Sequence, residues 1–401
     1  MLILIGGFLA FTVSASLMHA YTVFLLAFIA DFGWSRAESS IAYAVGQMVG
    51  GATSPLVGGM VDRLGSRKMV MLGGVLLLVG LIGSSFATSL WQMVFLYGVV
   101  MTFGANCIGL VVFVPLLSRI FVARRGMAIS ILQSANGFGR AISAPVAQMM
   151  VDGIGWRMAY LAQAGILSVL LLPLLPLFPR RDSEVAPPAQ SSTTVSMTAH
   201  NWTLAEAIRT RQFWLLFLVY MCTSIGSFLV SLHQLAFAVD KGFDPLYAAT
   251  VLGMGAFLAL PGVILTGTIS DYIGRELAAI LAYAISIVGV ACALLIEDGN
   301  SSTLLWLHAC LFGITWGARG PAVTAKTADL FSGPRLGTIL GVITMGSGLG
   351  AAIGSWGAGF LHDLTGTYRL AFWFSMTAYA TGAVAFWMLR NAGRAGARAQ
   401  P

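Results

Sequence analysis

Residues 58–68 read Gly58-Gly59-Met60-Val61-Asp62-Arg63-Leu64-Gly65-Ser66-Arg67-Lys68. A reduced copy, Gly267-Thr268-Ile269-Ser270-Asp271-Tyr272-Ile273-Gly274-Arg275-Glu276, begins 209 residues later. Each closes one apolar run with a glycine and an aspartate and opens the next with a glycine and basic residues. Further out, Gly126, Gly137, Gly139 and Asp152 recur as Gly337, Gly348, Gly350 and Asp363, all 211 residues on, and Arg157 recurs as Arg369 after 212. Four matches at one offset mark a duplicated chain, even among 47 glycines.

The composition names the solvent of this duplicated chain. Hydrophobic residues make up 58% and charged residues 9% of 401 positions, where a soluble protein carries roughly 25% charged. Such a chain cannot solvate a globular surface, which excludes a soluble enzyme, a nucleic-acid binder and a disordered protein. Helical spans of about 20 apolar residues fit near 2–30, 38–58, 69–87, 91–118, 127–150 and 156–178, and again near 213–239, 245–266, 277–296, 303–331, 337–361 and 368–389. The expected fold is therefore all-α, with twelve transmembrane helices in two six-helix pseudo-repeats. The first run has no basic leader and is read as a retained helix.

The expected domains are an N-terminal bundle over 1–179, a cytoplasmic linker over 180–212 and a C-terminal bundle with a short tail over 213–401. The linker is rich in Pro, Ser and Thr. Thr203 and Glu206 have capping-box spacing there and predict a short surface helix. With the N-terminus inside, fifteen Lys and Arg fall in inner loops and tail and four in outer loops, so the positive-inside bias puts both termini in the cytoplasm. Cys107, Cys222, Cys292 and Cys310 lie in apolar runs with no metal-ligand spacing and read as packing residues.

A parallel six-plus-six repeat is the architecture of one large class of secondary transporters, with the substrate between the halves. The stretch 58–68 and its copy resemble the cytoplasmic loop signature of the major facilitator superfamily. Within it, Phe32-Gly33-Trp34-Ser35-Arg36-Ala37-Glu38 and Arg124-Arg125-Gly126-Met127-Ala128 are similar to the bacterial monocarboxylate-transporter-like and oxalate/formate-antiporter-like branch. The resemblance implies a cytoplasmic latch. Asp62, beside the basic 119–125 loop, holds that side closed and releases it when the halves rock; the gating set is Asp62, Arg63, Arg67, Asp271, Arg275 and Arg125.

Three basic residues remain inside spans: Arg140, Arg319 and Lys326. Arg140 and Arg319 lie near mid-span, where an ionisable group is costly and marks a functional site. Lys326 lies about 10 Å nearer the cytoplasm at about 1.5 Å per residue, where it reaches the interface or lines the inner vestibule. No carboxylate sits mid-span, so two arginines without acidic partners call for an anion, and guanidinium offers carboxylate a two-point fork. The resemblance places the tenth helix on the central cavity and the fifth beside it, one arginine from each half. Backbone carbonyls loosened by nearby glycines are the competing partners for both.

Asn106, His19, His233 and Tyr21 complete the expected binding set, with interhelical hydrogen bonding or packing as the competing role for each. Trp316 is a further candidate for packing on the substrate's apolar part. Histidine supplies a group that exchanges protons near neutral pH, and His19 falls about where animal monocarboxylate carriers have a first-helix lysine. Two departures from the branch stand out. Residues 245–266 lack the eighth-helix arginine of some members, and the membrane carboxylate of proton-coupled relatives is missing.

The reading that follows is alternating-access transport of small organic anions, monocarboxylates first, proton-coupled or by anion exchange. It expects a monomer in a bacterial cytoplasmic membrane, with no cofactor, metal, nucleic acid or enzymatic chemistry. A drug exporter of the same superfamily is the first alternative and a non-transporting membrane sensor the second.

Overall fold

The computed structural model describes residues 1–121, 125–179, 202–316, 323, 326–327, 330–331 and 336–398, with backbone alone at several positions that include Asp62, Arg125, Asp271 and Arg275. Among these residues every regular element is helical. The helices are α1 (Leu2–His19), α2 (Tyr21–Phe32), α3 (Arg36–Leu64), α4 (Ser66–Ser85), α5 (Leu90–Met93), a π-helical stretch Val94–Met101, α6 (Thr102–Asn106), α7 (Leu110–Ile120) and α8 (Arg125–Leu171). After the 3₁₀ turns of Leu172–Leu177 come α9 (Leu204–Ile208), α10 (Arg211–Ser231), α11 (Gln234–Asp240), α12 (Pro245–Phe257), α13 (Ala259–Ile273), α14 (Arg275–Leu294), α15 (Ser302–Trp316), α16 (Leu336–Thr365) and α17 (Arg369–Arg398).

Nine stretches of the described residues are long and apolar enough to cross a membrane. Arg36–Leu64 is not among them, and Met127–Leu177 counts once although Gly155 turns the chain within it. Several expected spans are interrupted. The run near 2–30 breaks at Ala20, where ψ opens to −17°, and that near 91–118 breaks before Gly109, which is extended at φ −113° and ψ −169°. The run near 213–239 turns at Leu232–His233, where the His233 amide reaches back only three residues to the Val230 carbonyl. The run near 245–266 turns at Leu258. Pro261 explains that last turn, since it has no N–H to give the Phe257 carbonyl four residues back.

Contacts divide the chain into two compact units, Met1–Ser192 with Pro245–Gly253, and Thr193–Asp244 with Met254–Pro401. In the first, α1 lies against α8 where Gly139 leaves room: a Cβ there would stand 2.5 Å from the Thr12 carbonyl oxygen and 2.9 Å from the Ala15 side chain. In the second, α10 meets α16 along a ladder. Gly346, Gly350 and Gly354 face the carbonyls of Phe217, Met221 and Ile225, each step four residues on both helices. Small residues bring backbones this close because lipid offers no hydrophobic drive between helices, which leaves van der Waals contact to hold them. Ser224 and Ser347 add a hydroxyl–hydroxyl bond of 2.7 Å beside the ladder.

The sequence repeat reappears as backbone conformation. The six positive-φ glycines form three pairs: Gly33 (66°) with Gly242 (87°), Gly65 (80°) with Gly274 (90°), and Gly155 (74°) with Gly366 (70°). The separations are 209, 209 and 211 residues. The motif Phe32–Glu38 is a turn device. Gly33 ends α2 in the left-handed region, Phe32 stacks on Trp34 at 4.4 Å, and Ser35 and Glu38 form a reciprocal capping box at 2.9 and 3.1 Å. The capping box expected at Thr203 and Glu206 is present at the start of α9.

Candidate functional site

In the first unit the polar residues gather where α1 stops. His19 is its last residue, and the break at Ala20 leaves the ring beside α8. There His19 lies beside the side chain of Asn136 and within electrostatic reach of Arg140. Asn136 and Arg140 are four residues apart on α8 and so share a helix face. From α3, Tyr43 stands within electrostatic reach of the same guanidinium and hydrogen-bonds Gln47, again one turn along its own helix. Arg140, His19, Asn136 and Gln47 are all half-buried, and Tyr43 is buried. A cation, an imidazole, two amides and a phenol surround this position, and they offer the donors that a carboxylate accepts from.

The other expected residues sit differently. Tyr21 is 1% exposed; its hydroxyl donates to the Ser39 carbonyl at 2.6 Å, and its ring packs on Tyr97 at 4.2 Å. It ties α2 to α3. Asn106 gives Nδ2 to the Gly50 carbonyl and to Thr53 Oγ1, both at 2.8 Å, and so braces α3 just ahead of Pro55. His233 is 0% exposed in the second unit, with Nδ1 3.2 Å from the Tyr368 hydroxyl and Nε2 donating to the Ser355 carbonyl at 2.9 Å. Neither nitrogen is left for a substrate. All three make interhelical hydrogen bonds in this structure.

Arg319 lies outside the described residues. Trp316, the last residue of α15, packs on Phe312 and Phe228 at 5.7 and 5.5 Å. Lys326 has an acidic partner that hydropathy alone hid: its Nζ is 2.6 Å from Glu276 Oε1, with the two side chains 13% and 17% exposed. Glu276 stands in the first turn of α14. Of the latch residues, Arg63 is exposed in the last turn of α3 and Arg67 is half-buried in the first turn of α4. The side chains of Asp62, Arg125, Asp271 and Arg275 lie outside the described residues.

Sequence reasoning missed Asn136, Tyr43 and Gln47, although i, i+4 spacing from Arg140 picks out Asn136. It also assigned nothing to His308, which is 1% exposed and donates from Nδ1 to the Gly289 carbonyl at 2.8 Å. No group of three or more His, Cys, Asp or Glu suited to a metal occurs among the described residues.

With the duplicated helices and the polar cluster in view, known proteins supply the frame. The sequence profile of the Major Facilitator Superfamily matches residues 3–325. The chain belongs to the Major Facilitator Superfamily. It is similar to rat monocarboxylate transporter 13, at 28% identity over 92% of this chain and 84% of that protein. Human monocarboxylate transporter 2 is 26% identical over 96% of this chain and 84% of its own length. An uncharacterised MFS-type transporter of Bacillus subtilis, YcxA, is 24% identical over 88% and 86%. Among solved structures, the nucleoside transporter NupG superposes with a TM-score of 0.77 at 13% identity, over 97% of this chain and 99% of that one, a likeness of fold alone. The chain is thus a multi-pass integral membrane transporter.

Proposed function

We propose that this transporter moves small organic anions, monocarboxylates first, by alternating access across a bacterial cytoplasmic membrane. The proposal takes twelve helices with both termini cytoplasmic, a bundle on either side of a 180–212 linker, and a monomeric unit of function. One observation carries the substrate class: Arg140, inside a membrane helix, shares its surroundings with His19, Asn136, Tyr43 and Gln47. A guanidinium at that depth is costly without an anion or strong acceptors around it. The named substrates of the relatives support the same class. Arg319 is the expected counterpart in the second half. His19 exchanges protons in a coupled cycle, and anion exchange needs no such step. Asp62, Arg63, Arg67, Asp271, Arg275 and Arg125 form the cytoplasmic latch of the proposal.

The test is counterflow in proteoliposomes with labelled lactate, pyruvate, formate, oxalate and aromatic acids, run beside a panel of cationic drugs. Uptake of one or more acids, lost in Arg140→Gln and Arg319→Gln, supports the proposal. Counterflow of the cations alone overturns it in favour of a drug exporter.

A further inference from the structure

We infer that Tyr97 is a positioning residue for the anion site, holding helix α1 open at the point that presents His19; the inference rests on the transport reading above. The Tyr97 hydroxyl donates to the Met18 carbonyl at 2.7 Å, across 79 residues of sequence. In an uninterrupted helix that carbonyl would receive the amide of Thr22. Here the helix halts one residue later: α1 ends at His19, Ala20 is a turn, and α2 begins at Tyr21. No proline or glycine lies between Met18 and Phe32 to cause the stop, and the break needs a partner for the carbonyls it frees. Tyr97 supplies one of them, and Thr22 Oγ1 supplies another to the His19 carbonyl at 3.3 Å.

The phenol is aimed by its own backbone. Tyr97 lies in the π-helical stretch Val94–Met101, and π-turns change the direction of side chains relative to an α-helix and recur at functional sites. Close packing pins that stretch. A Cβ on Gly98 would stand 2.8 Å from the Ala42 carbonyl oxygen, and one on Gly46 2.9 Å from Thr102 Oγ1. The ring forms a triad with Tyr21 at 4.2 Å and Tyr43 at 6.3 Å, themselves 5.7 Å apart, so it joins the α1 break to the helix that carries Tyr43 and Gln47. The residue next to the captured carbonyl is His19, whose side chain lies beside Asn136 and within electrostatic reach of Arg140. Removing the hydroxyl leaves the ring packing in place and releases the Met18 carbonyl.

Tyr97→Phe separates these roles, with ring NMR of ¹⁵N-histidine-labelled protein in detergent as the first readout. His19 is assigned by the signal lost in His19→Gln. Tyr97→Phe should move the His19 ring signals and leave those of His308 and His362 in place. The second readout is counterflow of labelled lactate. Tyr97→Phe and His19→Gln should each raise KM fivefold or more, and the double variant should be no worse than the poorer single variant. Unmoved His19 signals overturn the inference whatever lactate does. Moved signals with additive KM effects overturn the link to transport. Unchanged KM in both His19→Gln and Arg140→Gln would instead reject the anion site and leave the α1 geometry to be judged by NMR alone.

Discussion

Gly65 and Gly274 stand 209 residues apart and adopt one backbone conformation, φ 80° and ψ 159° in the first, φ 90° and ψ 152° in the second. Each serves at once as the last cap of one helix and the first cap of the next. The Gly65 amide donates to the Val61 carbonyl at 2.8 Å and its carbonyl accepts from Met69 at 3.2 Å. The Gly274 amide donates to Ser270 at 3.0 Å and its carbonyl accepts from Ala278 at 3.1 Å. Two successive helices are thereby joined through a single residue.

That conformation is open to glycine and closed to side chains, with a cost of about 1–3 kcal/mol for any other residue. Gly65→Ala and Gly274→Ala should each lower the unfolding temperature in detergent, and by similar amounts. Gly33, at φ 66° and ψ 19°, lies in the left-handed region that asparagine tolerates, so Gly33→Asn should change stability much less. Equal losses at all three positions would contradict the assignment.

The α10–α16 ladder predicts a steep dependence on size. Gly350→Leu must push α16 off the Met221 carbonyl and should cost more than about 1–3 kcal/mol, the usual price of overpacking. Gly341, with nothing within 4 Å of a built Cβ, should accept alanine without loss. Thermal unfolding monitored by tryptophan fluorescence compares the two.

The Lys326–Glu276 pair is largely sheltered from solvent, so removing one partner takes a charge-assisted bond of 2.6 Å from the other. Lys326→Met alone should lose up to about 3–5 kcal/mol, and combining it with Glu276→Leu should recover most of that loss. Urea or thermal denaturation of the three variants checks it; additive losses would show that the pair does not act as a pair.

His233 and His19 should part company in transport assays. His233→Ala removes the bonds to the Tyr368 hydroxyl and the Ser355 carbonyl and leaves a cavity among buried helices, which lowers the melting temperature while KM for the transported acid stays within twofold. His19→Gln should do the reverse. A large KM change in His233→Ala with unaltered stability would restore it to the binding set.

These residues also show what could be read from one chain. The duplication was legible because glycine and aspartate recur at offsets of 209 and 211 residues, and in one such pair, Gly139 and Gly350, a Cβ would collide with the backbone of a neighbouring helix. The capping box at Thr203–Glu206 was legible because its partners lie three residues apart. The breaks at Ala20 and Leu232–His233 were not, because no proline or glycine marks them and their stabilising partners come from distant helices. Tyr97 reaches Met18 across 79 residues and Tyr368 reaches His233 across 135. Hydropathy located Arg140 in its helix, whereas Tyr43 and Gln47 join it only through the packing of α3. The partner of Lys326 went unnamed for the same reason, as Glu276 is 50 residues away.

The measurement that bears most directly on the anion site is initial-rate counterflow of the best-transported acid by wild-type and Arg140→Gln protein in the same liposomes, with melting temperatures recorded for both. The account predicts a fall of at least tenfold in kcat/KM at a melting temperature within a few degrees of wild type, with Arg140→Lys retaining part of the activity. Wild-type kcat/KM in Arg140→Gln would contradict it.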